Sequence, residues 1–107
     1  MRARSKYGNV RTVVDGHTFA SKREARRYVE LKLLQHHAKI GGLTLQPKFV
    51  CAVQHVPVCT YIADFAYFDY EKNANVVEDV KGFKTAIYRL KKKLVLACFG
   101  IEIQEVK

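Results

Sequence analysis

Hydrophobic and polar positions follow two periods along this chain, a period of two in several short runs and a helical period in two longer ones. Residues 11–14 and 17–20 flank Asp15-Gly16 and predict a short hairpin, because Asp-Gly readily takes the positive φ of a two-residue turn. Ser21-Lys22-Arg23-Glu24 has the S-x-x-E spacing of a capping box. A helix is predicted from there to about Lys39, ended by Gly41-Gly42 as a left-handed cap. Three strands follow, over residues 43–53, 59–69 and 75–81, with Pro47 restricting the first to an edge or bulge. Glu71-Lys72-Asn73 reads as the turn between the last two. Ile87, Leu90, Leu94 and Cys98 recur at helical spacing within residues 84–99, Gly100 stops that helix, and residues 101–106 alternate as a last strand.

The predicted order is hairpin–α–β–β–β–α–β. Along residues 59–69, Thr60, Ile62, Ala66 and Phe68 fall on one face, and Tyr61, Ala63, Phe65 and Tyr67 on the other. A strand apolar on both faces is covered on both. With two helices available, the expectation is an α/β class, a three-layer α/β/α arrangement around a mixed sheet. No repeat or linker divides the chain, so residues 10–107 are expected to form one domain behind a mobile basic arm at residues 1–9.

Composition changes this picture in one respect, charge. The formal net charge is +9. Residues 1–40 hold ten Lys and Arg against three acids, and residues 81–93 hold six against none. Residues 64–79 hold five acids and a single lysine. Two basic blocks around an acidic centre suit a polyphosphate partner approaching a metal site. No apolar run is long enough to span a membrane, and no signal sequence is evident, so a cytoplasmic protein without a membrane partner is expected. Cys51, Cys59 and Cys98 sit among apolar residues without CxxC spacing and are expected to be buried, reduced thiols.

The chemistry begins at Asp64, a carboxylate within the apolar run Tyr61-Ile62-Ala63-Asp64-Phe65. Such an acid is costly unless paired or bound to a cation. Asp79-Val80-Lys81 closes the next strand, with Asp79 and Lys81 on one face and Glu78 on the other. A turn closed by Tyr70/Asn73 or by Asp69/Val76 puts Asp64 on the face of Asp79, directly across or diagonal. Two carboxylates holding Mg²⁺ beside a lysine are what phosphodiester hydrolysis requires, because the reaction adds negative charge to an anionic phosphate. Glu24 is a third candidate acid; it shares a helical face with Tyr28 and Leu31, although its place in the capping box gives it a second, purely local use.

Asp64, the Asp79-x-Lys81 pair fifteen residues on, and a preceding helix bearing Glu24 resemble the PD-(D/E)XK nuclease superfamily. The runs Phe19–Tyr28 and Glu78–Phe83 resemble small phage and prophage nucleases, and more loosely the Holliday-junction resolvases of phages and archaea. The resemblance covers nearly the whole chain beyond the arm. It implies a restriction-endonuclease-like αβββαβ core, with Glu24, Asp64, Asp79 and Lys81 catalytic. It also implies Mg²⁺, with Mn²⁺ as a substitute, held by Asp64, Asp79, Glu24 and the Val80 backbone carbonyl. Ala63 stands where the superfamily's name has proline.

Lys22, Arg23, Arg26, Arg27, Lys84, Tyr88, Arg89, Lys91, Lys92 and Lys93 are the expected DNA contacts. The first expectation is therefore a branched-DNA endonuclease acting as a homodimer, since resolving a four-way junction takes two symmetric cuts. A nicking, flap or single-strand nuclease would use the same residues. A non-catalytic basic DNA-binding module is the remaining class.

Overall fold

The computed structural model describes residues 10–107; the arm expected at residues 1–9 lies outside them. Strands β1 (Thr12–Val14) and β2 (His17–Phe19) form the N-terminal hairpin, its turn made by Asp15 and Gly16 at φ 51° and 77°. Helix α1 (Lys22–His36) starts on Ser21, whose Oγ accepts the Glu24 N–H at 3.1 Å. It ends earlier than the glycine pair suggested. Ala38 takes the left-handed turn (φ 57°), because Ile40 is already a buried sheet residue paired with Asp69. Gly41 and Gly42 lie instead in β3 (Ile40–Leu45), at a register shift where Gly42 adopts φ 63° and a Cβ on Gly41 would collide with the Tyr70 hydroxyl.

The strands expected at 43–53 and 59–69 are each broken in two. The first becomes β3 and β4 (Lys48–Val53), the second β5 (Val56–Ile62) and β6 (Phe65–Asp69). The breaks face each other. The Gln46 N–H donates to the Asp64 carbonyl at 3.0 Å, and the Ala63 N–H donates to the Pro47 carbonyl at 3.0 Å. Pro47 has no N–H of its own to give, so the ladder cannot run straight through this corner. Beyond it, β4 and β5 leave as a separate hairpin closed by Gln54 and His55, both at positive φ.

β7 (Ala74–Val80) is antiparallel to β6, α2 (Ala86–Phe99) follows on the Thr85 cap, and β8 (Gln104–Val106) lies parallel to β7. The main sheet has the order β3-β6-β7-β8, mixed as expected. Gly100 ends α2 at φ 69°, its N–H on the Leu96 carbonyl.

Two apolar clusters hold this together. One joins Ala25, Tyr28 and Leu31 of α1 to Phe19, Phe65, Tyr67 and Val76. The other joins Tyr88 and Val95 of α2 to Cys51, Tyr61, Ala63, Val77 and Ile103. Fully buried side chains such as Leu31, Phe65 and Val95 contribute about 2 kcal/mol each. Tyr61 and Ala63 were expected on the face of Phe65 and Tyr67; the corner at Asp64 sends the two pairs to different clusters. Among the described residues the result is a mixed α/β fold with two helices and a mixed sheet.

Of the three free cysteines only Cys51 is fully buried; Cys59 is half-buried and Cys98 exposed, because Cys98 lies on the last turn of α2. Burial first, then neighbouring Cys59, pushes the Cys51 thiol up to about 11. Among the described residues no helix is long and apolar enough to cross a membrane.

Candidate active site

The turn at Tyr70–Asn73 fixes the register of β6 on β7. Asp69 Oδ1 accepts the N–H groups of Glu71 and Lys72, and Asn73 takes φ 53°. Phe65 then pairs with Glu78, so Asp64, one residue before the strand, stands opposite Asp79. Its N–H reaches the Glu78 carbonyl (3.2 Å), and its Oδ2 accepts the Val80 N–H at 2.7 Å. Across β7 the parallel register sets Glu105 beside Asp79. Asp64, Asp79 and Glu105 thus form a row across three strands, on one face of the sheet.

Each carboxyl in the row has a different environment. Asp79 is 1% exposed and its Oδ2 has no hydrogen-bond partner among the described residues. Burial pushes it up to about 6, against the opposing pull of the Lys81 charge. Glu105 is drawn down to about 2, first by Lys84 (Nζ at 3.0 Å), then by the Tyr88 hydroxyl, which donates to Oε2 at 2.9 Å, with Lys92 at 3.3 Å adding to it.

Glu24 approaches from α1. Its Oε2 accepts the Ala20 N–H at 3.0 Å, so it does close the helix start, one residue earlier than the Ser21 N–H of a capping box. Burial raises its carboxyl to about 8, reinforced by a hydrogen bond to Asp64 and by the charges of Asp64 and Asp79. Glu24 therefore favours its protonated form at neutral pH. Both line a cleft of about 250 Å³ whose other walls are the β1–β2 hairpin (residues 16–19), Leu45, Gln46 and Phe65.

Lys81 follows Asp79 on the same face. Its Nζ lies 4.7 Å above the centre of the Tyr88 ring, whose hydroxyl is bound to Glu105. A cation is attracted to that ring face, and a carboxylate on the hydroxyl strengthens the attraction. The Val80 N–H points to Asp64.

Glu78 points the other way. Arg27 grips it through Nε (2.6 Å) and Nη2 (3.0 Å), and the Tyr67 hydroxyl donates to it at 2.6 Å. Arg27, read from sequence as a phosphate contact, is thereby turned inward. Lys84 and Lys92 are held by Glu105, Lys91 reaches the Thr60 carbonyl (3.3 Å), and Tyr88 is buried, so these four are also engaged within the fold. Lys22, Arg23, Arg26, Arg89 and Lys93 remain exposed. Arg23 crosses to the end of β7, where a Cβ on Gly82 would lie 2.6 Å from its Nη1.

Among the described residues, no three His, Cys, Asp or Glu side chains converge closely enough to make a metal cage. Mg²⁺ does not ask for one, because it retains several waters and takes one or two carboxylates. A buried Asp79 oxygen without a hydrogen-bond partner among the described residues, beside Asp64 and Glu24, is compatible with that demand.

Compared with known families, residues 4–106 match a family described as "Protein of unknown function (DUF1064)". The chain belongs to the DUF1064 family. No curated protein matches it, and neither does any solved structure. In this DUF1064 chain two residues of the site escaped the sequence reading. Gln46 lines the cleft only because the chain turns a corner there, which no periodicity signals. Glu105 was accessible to strand parity, which puts it on the face of the apolar Ile101 and Ile103, where an acid calls for a partner.

Proposed function

We propose that this protein is a Mg²⁺-dependent DNA endonuclease with a restriction-endonuclease-like α/β/α core of the PD-(D/E)XK kind, acting in the cytoplasm on branched DNA. The observation that carries the reading is Asp79: fully buried, one oxygen unpartnered, opposite Asp64 and two residues from a lysine on the same face. A structural acid at that depth would be paired.

Asp64, Asp79, Glu24 and the Val80 carbonyl would hold the ion, which when bound supplies positive charge and an acidified water. Lys81, parked on Tyr88, would neutralise the charge that builds on the phosphate as a water oxygen bonds to phosphorus, giving its proton to solvent, and the P–O bond to the sugar breaks, the departing sugar oxygen taking a proton from solvent. Glu105 holds Tyr88, Lys84 and Lys92 together behind it, which fixes where that lysine rests. Lys22, Arg23, Arg26, Arg89 and Lys93 hold flanking phosphates. Incubating the protein and Mg²⁺ with four-way junction, flap, duplex and single-stranded DNA tests the proposal, with junction cut fastest and by two copies. Failure to cut any of the four would refute it.

Glu24→Gln separates the two uses of that residue. Glutamine resembles the protonated acid, so it can accept from the Ala20 N–H and donate to Asp64. The melting temperature should stay within about 2 °C, a fraction of 1 kcal/mol for a domain this size. Cleavage should fall about 100-fold or more, because an amide cannot release the proton to make room for a cation. Full activity would reduce Glu24 to a helix cap.

DNA affinity should fall steeply with salt, with a log–log slope near −0.9 per phosphate neutralised. Replacing Arg23 and Arg26 together with alanine should make that slope shallower by about 2. An unchanged slope in a salt titration of binding would put the DNA on another surface.

A further inference from the structure

Among the described residues six non-glycine residues adopt positive φ, and five of them sit where chains ordinarily reverse: Asp15, Gln54, His55 and Asn73 in hairpin turns, and Ala38 just past α1. Gln46 (φ 52°) does not. It stands at the corner between β3 and β4, immediately before Pro47, and lines the cleft that contains Glu24 and Asp64. A left-handed backbone costs an ordinary side chain roughly 1 kcal/mol that glycine would avoid. Strain of this kind kept beside a polar cleft points to a use for the side chain.

The backbone of Gln46 already has a task, since its N–H donates to the Asp64 carbonyl and so helps turn Asp64 toward Asp79. Glycine would do that equally well. What glutamine adds is a neutral group that both donates and accepts. The walls around it include Asp64, whose negative charge repels an incoming phosphodiester, beside the acid Glu24. A lysine or arginine there would pair with Glu24 or Asp64 and fill the cleft with its own salt bridge. A neutral amide offers an N–H to a phosphate without collapsing onto the acids.

We propose that the Gln46 side chain is a substrate contact of the cleft, donating its Nε2–H to a non-bridging oxygen of the phosphate seated against Asp64. This rests on the endonuclease reading above and goes further by naming the neutral donor that offsets the acids. The β1–β2 hairpin, with His17 and Thr18 facing the same cleft, would form the opposite wall of the strand's path.

The test uses Gln46→Gly, Gln46→Asn and Gln46→Glu in the full chain, with Asp79→Asn as the inactive control. Gln46→Gly relieves the strained φ, so its melting temperature should equal or exceed wild type. Its kcat/KM on the best DNA substrate should nevertheless fall about 10- to 100-fold, the worth of a hydrogen bond to a charged oxygen. Gln46→Asn keeps an amide and tolerates the left-handed backbone, so it should recover part of the loss. Gln46→Glu adds a third acid to the cleft and should be the least active. Wild-type cleavage by Gln46→Gly overturns this inference and leaves the endonuclease reading standing. If wild type itself cuts no DNA, both fall.

Discussion

Asp79→Asn should abolish cleavage, lowering the rate on the order of 1000-fold, and should at the same time make the protein more stable at neutral pH. The first effect follows from the loss of an anionic oxygen where the proposed cation and phosphate would meet; several kcal/mol of transition-state stabilisation would disappear, at tenfold per 1.36 kcal/mol. The second follows from burial. The Asp79 carboxyl is raised to about 6 in the folded protein, above its ordinary value near 3.8. An acid raised by folding favours the native state most when protonated. Its contribution is fully present below the unfolded value and is lost as pH rises through about 6. At pH 7 wild type therefore carries a buried, poorly paired charge that asparagine lacks. Melting temperatures of the two proteins should converge near pH 4 and separate at pH 7, with Asp79→Asn the higher. Adding Mg²⁺ should raise the wild-type midpoint and leave the variant unmoved, because an ion that binds only the native state stabilises by mass action. DNA binding should survive or tighten as a negative charge facing the phosphates is removed. An Asp79→Asn protein that cuts at the wild-type rate would remove the metal assignment, and Asp64→Asn is expected to behave likewise in cleavage.

Much of this site could be read without coordinates, for a physical reason. Strand parity is rigid. Once Tyr70–Asn73 is a hairpin turn, Asp64 must face Asp79, and Glu78 must face away. The same regularity failed wherever the chain left regular structure. The corner pairing Gln46-Pro47 with Ala63-Asp64 cut two expected strands into four and sent Tyr61 and Ala63 to a different cluster from Phe65 and Tyr67. Proline signalled an irregularity at 47, but nothing local marked its partner at 64, because that break is imposed across the ladder. Charge counts were less informative than parity. Arg27, Lys84 and Lys92 look alike in sequence to Arg23 and Lys93, yet the first three are taken up by Glu78 and Glu105, acids brought to them only by the fold.

Glu78, the acid adjoining Asp79, carries the second large effect, and it falls on stability. Glu78→Gln should lower the melting temperature by on the order of 10–20 °C while leaving cleavage by the folded protein nearly intact. The carboxylate is 2% exposed and binds Arg27 through two nitrogens and the Tyr67 hydroxyl through a third contact. Glutamine has nearly the same shape, but it offers one acceptor oxygen and turns an NH₂ toward groups that are themselves donors. Among the described residues the Arg27 guanidinium, 21% exposed, is left with only Glu30 at 3.4 Å as a partner of opposite charge. Breaking a buried ion pair from one side costs about 3 kcal/mol here, the low end for such pairs because Arg27 retains some solvent. For a domain of this size that corresponds to the shift stated. Removing both partners should cost less than removing one, so Arg27→Met combined with Glu78→Gln should recover much of the loss, and the double-mutant cycle measures their coupling. Cleavage is assayed well below the lowered midpoint. There Glu78→Gln should cut at close to the wild-type rate, since its side chain lies on the α1 side of the sheet and Asp79 on the other. A variant that keeps its stability but loses cleavage would make Glu78, and not Asp79, the acid of the site.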